Sequence, residues 1–267
     1  MTIFQLPQLF AASKPIIGML HVPPLPGAPQ FNGDVMAIRD HVLRDVDALS
    51  AGGIHGLMLE NFGDTPFYPG SVPPHVIAHL TALAVEVRRL SKLPLGINVL
   101  RNDGRGALAI AHAVGAHFIR VNVLCGARVT DQGIIQGIAH DLLRDRAALG
   151  AEHIRIFADV NVKHSAALAP RPLADEVADT LLRGGADALI VSGTATGTET
   201  DLAEIQHAGA AAHGAPILVG SGVSAESIGS MAQHADGFIV GTAVKQEGLV
   251  SNPIDPARVV ALLDGLS

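Results

Sequence analysis

The feature that most constrains this chain is a rhythm. Eight short apolar runs, at 16–20, 56–60, 95–100, 118–123, 154–162, 188–192, 217–219 and 237–240, are each followed by a segment with apolar residues at three- and four-residue spacing. In the first such segment, 34–51, the repeating positions are Val35, Ile38, Val42, Val46 and Leu49, and the others fall at 76–90, 106–114, 134–149, 173–183, 201–212, 225–232 and 256–266. Many of them end in glycine (Gly52-Gly53, Gly115, Gly150, Gly184-Gly185, Gly214), the residue that lets a helix C-terminus turn through a left-handed conformation. Eight strand-then-helix units predict a parallel sheet with helices outside. Closing that sheet leaves no strand edge, so the expected fold is one domain, 1–267, a single (β/α)8 TIM barrel. The competing architecture, an open doubly wound sheet, lacks its GxGxxG after the first strand.

Composition narrows the class. Of 267 residues, 48 % are hydrophobic and 16 % charged, which suits strands buried on both faces. With 3 % aromatics, no Trp, a net charge of −7 and no basic block, the chain is a poor match for stacking on bases or binding phosphate backbones and anionic lipid. The single Cys125 excludes an internal disulfide and fits a reducing cytoplasm. The first residues lack the basic and apolar regions of a signal peptide, and no apolar run approaches the ~20 residues of a membrane span. A cytoplasmic location with no nucleic-acid partner and no membrane span is expected, with self-association left open.

Function in such a barrel concentrates where strands end. The segment 216–245 reads strand, glycine turn, helix, strand, glycine turn, with Gly220-Ser221-Gly222 and Gly241-Thr242 at the two turns and Ser224 placed to cap the helix between them. Glycine turns offer backbone N–H groups unshielded by side chains, and a helix N-terminus adds a positive dipole end. Together with Gly193 and Thr194 at the end of the sixth strand, they form the expected phosphate cradle. The remaining strand ends are polar: Glu60-Asn61, Asn98, Arg101-Asn102-Asp103, Arg120 and Asn122, and Asp159, Asn161 and Lys163. Alternation puts Arg120 and Asn122 on one face, and Asp159, Asn161 and Lys163 on one face with Ile156, Ala158, Val160 and Val162 opposite; Phe118 and Val121 are expected among the outward residues. Charges pointing into a barrel need partners, so Glu60, Arg120, Asp159 and Lys163 are expected to form one network. Glu60 and Asp159 are the candidate acid and base. Lys163 is the candidate oxyanion partner, or else an imine-forming amine, with adjacent carboxylates expected to keep it charged.

Two proline-rich loops, 21–33 and 61–74, are too long for ordinary turns and read as walls or lids over a ligand, with Phe62, Phe67 and Tyr68 on the second. His21 and His164 sit at strand ends, where proton transfer, or a divalent metal shared with Glu60 or Asp159, would use them. The His75/His79 pair lacks a third metal ligand nearby, and no base marks Cys125 as a nucleophile.

Six stretches carry a family resemblance: GMLHVPPLPGAP at 18–29, ENFGDTPF at 60–67, NVLRND at 98–103, FIRVNV at 118–123, ADVNVKHS at 158–165 and IVSGTATG at 190–197. Together they resemble the BtpA/SgcQ family. The resemblance implies a TIM barrel of the ribulose-phosphate-binding kind. It also brings a second class of function, a non-catalytic factor for photosystem I biogenesis, after which the family is named. The expectation from the residues is an isomerase, epimerase or aldolase-type lyase acting on a small phosphorylated metabolite. Glu60, Asp159 and Lys163 would do the chemistry. His21, Asn98, Arg101, Arg120, Asn122 and Asn161 would orient the substrate. No cofactor is certain, and a divalent metal is left open.

Overall fold

A computed structural model describes residues 3–169, 171–193 and 201–266. Apolar runs become strands β1 (Ile16–His21), β2 (Gly56–Glu60), β3 (Leu95–Asn98) and β4 (Phe118–Val121). They are followed by β5 (Ala127–Thr130), β6 (Gly133–Gln136), β7 (Arg155–Val160), β8 (Ser165–Ala167), β9 (Ala188–Val191), β10 (Ile217–Val219) and β11 (Gly237–Val240). Eight of them close a parallel barrel in the order β1-β11-β10-β9-β7-β4-β3-β2, and the first and last strands pair through Ile16–Gly18 and Phe238–Val240. The fold is the expected (β/α)8 barrel. Helices α1 (Val35–Ala51), α2 (Pro74–Leu90), α3 (Gly104–Val114), α4 (Ala139–Ala148), α5 (Leu173–Ala178, continued by a wider turn at Asp179–Arg183), α6 (Leu202–Ala211), α7 (Ile228–Met231) and α8 (Pro256–Asp264) surround it.

Two expectations about local structure are corrected. The segment 134–149 is not one helix: its first residues form β6, which pairs with β5 and, through β5, with β8 in a small antiparallel sheet beyond the barrel rim. The helix expected at 225–232 shrinks to the four residues of α7. Ser224 and Ser227 bond reciprocally, Ser224 N–H to Ser227 Oγ at 3.0 Å and Ser227 N–H to Ser224 Oγ at 3.3 Å. That exchange forms a turn in which Ser224 precedes the helix and does not cap it, and one helical turn carries little macrodipole.

Period-two alternation divides the apolar residues into two layers. Ile156, Ala158 and Val160 face the helices, while Phe157 joins Ile17, Met58, Phe118, Ile190, Leu218 and Ile239 inside the barrel. Phe118 is therefore inward, sharing a face with Arg120, and Ile119 and Val121 point out. Gly96 makes room for it, since a Cβ there would lie 2.2 Å from the Phe118 ring. The N-terminal segment seals this end: Phe4 lies tilted against Phe157 and Phe10 edge-on to Phe118, at ring separations of 6.1 and 5.8 Å. Followed toward the strand C-termini, the same inward positions turn polar at His21, Glu60, Asn98, Arg120, Asn122 and Asp159, and reach glycine at Gly220 and Gly241.

A buried ion pair clamps the seam where the first and last units meet. Lys245, after β11, is fully buried and donates from Nζ to Asp45 Oδ2 of α1 at 2.5 Å. The other Asp45 oxygen accepts from Ile254 N–H at 3.3 Å. Removing one member strands the other charge in a low-dielectric site, at a cost of roughly 3–5 kcal/mol. Lys245→Met should lower unfolding stability in urea by about that much. The double variant Lys245→Met/Asp45→Leu should recover part of the loss, and additive losses would show that the two residues act independently.

Candidate active site

The glycine positions decide where the barrel mouth is open. On six strands the inward, C-terminal position carries a side chain; on β10 and β11 it is Gly220 and Gly241. A Cβ at Gly220 would come within 2.6 Å of Ile190 Cγ2, and one at Gly241 within 2.7 Å of His21 Cε1. The resulting cavity, about 250 Å³, is walled on one side by His21, Glu60, Phe62, Arg120 and Lys163, and on the other by the turns at 220–224 and 241–243 with Gly248 and Arg258. One cavity thus brings Glu60 and Lys163 together with the turns at 220–222 and 241–242. Gly222 takes the left-handed conformation (φ 67°) that favours glycine. Among the described residues no acceptor is bonded to the N–H of Gly222, Gly241 or Thr242. Thr194 lies outside the described residues. Gly193 is buried and does not line the cavity.

Glu60 is buried, and Asn98 Nδ2 donates to its Oε2 at 2.6 Å. Its Oε1 lies 3.9 Å from His21 Nε2. The His21 ring stacks on Phe62 at 4.4 Å. Burial, and then the cations Lys245, Lys163 and Arg120, hold the His21 imidazole down at about 3, so it is neutral at ordinary pH. His21 Nδ1 and Asn122 Oδ1 are buried and have no hydrogen-bond partner among the described residues.

Asp159 occupies a different place from that expected of an acid or base. Arg120 Nε and Nη2 donate to its two oxygens at 2.9 and 2.8 Å, and Asn122 Nδ2 adds a third bond at 2.9 Å. Its side chain has no exposure, and Arg120 stands between it and the cavity. Asn161 is also displaced. Strand β7 ends at Val160, Asn161 has φ 48°, and alternation stops there. Its side chain turns outward to donate to Glu204 at 2.6 Å and accept from Arg128 at 2.7 Å, so it does not share the mouth with Asp159. Lys163 returns to the cavity by the loop path, and its carbonyl accepts from buried Arg101 at 2.6 Å. Among the described residues no carboxylate lies within 4.0 Å of Lys163 Nζ. Burial, and next the Arg120 charge, push its pKa below the ordinary lysine value and outweigh Glu60 and Asp159, reversing the expected balance.

The long loops are tied together. Asp64 accepts from Leu25 N–H at 2.8 Å and from Asn61 Nδ2 at 3.1 Å, and Asn61 Oδ1 accepts from Leu100 N–H at 2.7 Å. Phe62 reaches the cavity, whereas Phe67 and Tyr68 line a separate one beside His75. Asn102 and Asp103 support the backbone: Asn102 Oδ1 accepts from Val123 N–H, and Asp103 caps α3 at Gly106 and accepts from Val72 N–H. Burial raises the Cys125 thiol pKa, which is unlike a nucleophile. His164 does not line the cavity. Among the described residues no three histidine, cysteine or carboxylate side chains gather as a metal site. Arg258 is a cavity residue that sequence reasoning missed, since nothing in its spacing sets it apart from other helix-surface cations.

The model of the BtpA family matches residues 12–266. The photosystem I biogenesis protein BtpA of Synechocystis sp. is 43 % identical over 260 residues, 97 % of this chain and 90 % of that one. An uncharacterised protein of Thermococcus kodakarensis is 45 % identical over 251 residues, 94 % of each chain. Among solved structures, N-(5'-phosphoribosyl)anthranilate isomerase from Pyrococcus furiosus superposes with a TM-score of 0.57 at 12 % identity, over 95 % of this chain and 98 % of that one. Native KDPGal does so with a TM-score of 0.59 at 14 % identity, over 99 % and 97 %. At these identities the two structures establish the fold alone, while the family match and the sequence relatives span nearly the whole chain. The chain belongs to the BtpA family.

Proposed function

We propose that the protein is an enzyme acting on a small phosphorylated carbonyl metabolite, of the sugar-phosphate kind, by proton transfer beside the carbonyl or by aldol-type carbon–carbon cleavage. The observation that carries this reading is the single cavity in which Glu60 faces unbonded backbone N–H groups. At about 250 Å³ it is smaller than the ~300–1,000 Å³ of drug-sized pockets, which favours a short substrate. Glu60, oriented through Oε2 by Asn98, takes a proton from the carbon next to the carbonyl through Oε1. The electron pair moves onto the carbonyl oxygen, where Arg120 and Lys163 meet the developing negative charge and neutral His21 can donate a hydrogen bond. Returning the proton to the same or the neighbouring carbon completes an epimerisation or isomerisation. Asp159 holds Arg120 in position and exchanges no proton. Isomerase and KDPGal neighbours share this barrel architecture, which is compatible with such chemistry.

A second reading, a non-catalytic assembly factor, rests on the 43 % identity to the Synechocystis photosystem I biogenesis protein. No helix among the described residues is long and apolar enough to cross a membrane. A carboxylate aimed into a cavity bordered by unbonded N–H groups serves no evident purpose in a scaffold, so the enzyme reading is preferred.

Incubation with short aldose and ketose phosphates in D₂O should exchange the hydrogen beside the carbonyl, seen as loss of its proton NMR signal. Glu60→Gln should stay folded and slow that exchange by roughly 10²–10⁴-fold. Exchange unaffected by Glu60→Gln, or absent across the series, would favour the assembly reading. Asp159→Asn should instead lower stability by several kcal/mol, about 3–5, because it leaves Arg120 buried without its charge partner.

Lys163 separates the two kinds of chemistry. With Arg120 beside it to share the oxyanion, borohydride added with the carbonyl substrate should leave Lys163 unmodified. A reduced adduct on Lys163, located by peptide mass, would reassign the protein as a Schiff-base aldolase or lyase.

A further inference from the structure

The cavity is electrically lopsided. Among the described residues, two arginines, Arg120 and Arg258, and the amine of Lys163 border it against one carboxylate, Glu60, in a chain whose net charge is −7. Arg120 and Lys163 belong to the inner end, with Glu60. Among the described residues, the outer end, between the two glycine turns, has no carboxylate in its wall and one cation, Arg258 in the first turn of α8. Arg258 Nε donates to the carbonyl of Ala243 at 2.8 Å, which ties the guanidinium to the β11 turn itself. Its two terminal nitrogens form no hydrogen bond or ion pair among the described residues. Glu226, whose carboxylate is held low first by the Ser224 hydroxyl, feels the Arg258 charge only as its weakest influence. Gly248 lies beside the guanidinium, where a Cβ would be in ordinary contact with Nη2 at 3.8 Å.

Resting on the phosphorylated-substrate reading, we propose that Arg258 is the side-chain clamp for the substrate's phosphate, the group that makes the cavity select a phosphate monoester over the unphosphorylated compound. A guanidinium anchored through Nε presents two parallel N–H groups from its far edge, the fork that fits two oxygens of one phosphate. The Gly222, Gly241 and Thr242 N–H groups supply neutral donors from the turns. They carry no net charge and α7 adds little dipole, so the counter-charge at this end falls to Arg258. The residue is exposed, with one hydrogen bond to the rest of the chain, and its replacement should leave the barrel folded.

The test is calorimetric titration of inorganic phosphate, glycerol 3-phosphate and glycerol into the wild-type protein, Arg258→Ala and Arg258→Lys. Arg258→Ala should weaken binding of both phosphates by about 10- to 100-fold, the usual weight of a charge-assisted pair. Glycerol binding should be unchanged. Arg258→Lys should recover part of the loss, since it restores charge without the fork. Equal phosphate affinity in wild type and Arg258→Ala would overturn the role of Arg258 while leaving the enzyme reading standing. Failure of the wild-type protein to bind either phosphate would overturn both, and equal losses for glycerol would show that the substitution merely deforms the pocket.

Discussion

The open, strand C-terminal end of this barrel depends on the bidentate pair between Arg120 and Asp159. Both side chains are buried, at 4 % and 0 % exposure, where an unpaired charge is costly. Asp159 spends both oxygens on Arg120 and Asn122, which fixes the guanidinium beneath the cavity. The fixed positive charge then acts on its neighbours: it is among the cations that hold His21 neutral, and after burial it is the largest influence lowering Lys163. A preorganised cation of this kind costs no reorganisation when negative charge develops on a substrate.

Around that pair the barrel interior is graded. The closed end is sealed with aromatic rings, including Phe118 against Phe157 at 4.7 Å, and needs no polar partner. The open end is polar because the same inward parity reaches His21, Glu60, Asn98, Arg120 and Asp159 two residues later. Glycine at the corresponding positions of β10 and β11 removes side chains from one side of the mouth. The cavity is therefore off-centre, its carboxylate on one wall and its backbone donors on the other. Each is made by a different set of strands, and only closure of the sheet brings them face to face.

Much of this was legible from spacing. The eight runs alternate with helical segments in a way few folds accommodate, and three of the strands, 56–60, 217–219 and 237–240, begin and end where the apolar runs do. The inward assignment of Asp159 followed from Ile156, Ala158 and Val160 needing the helix-facing side. The same logic failed at Asn161 because it assumed that the strand continued; the left-handed residue breaks the alternation that carried the inference. It also failed at Phe118, whose inward place depends on the space left by Gly96 on the neighbouring strand. The small sheet of β5, β6 and β8 escaped notice because Ile134 and Ile135 fit a helical spacing as well as a strand.

By itself the sequence determined the barrel, the polar strand ends and the two glycine turns, since these follow from local periodicity and from backbone freedom at single residues. Tertiary structure alone decided which polar groups face the cavity and which support it. Asp159 became the partner of Arg120, Lys163 lost the carboxylates expected to hold its charge, and Arg258 entered from a helix with no distinguishing mark. The physical reason is that a charge's role depends on distance to other charges and on burial, and both are set by contacts between residues far apart in the chain.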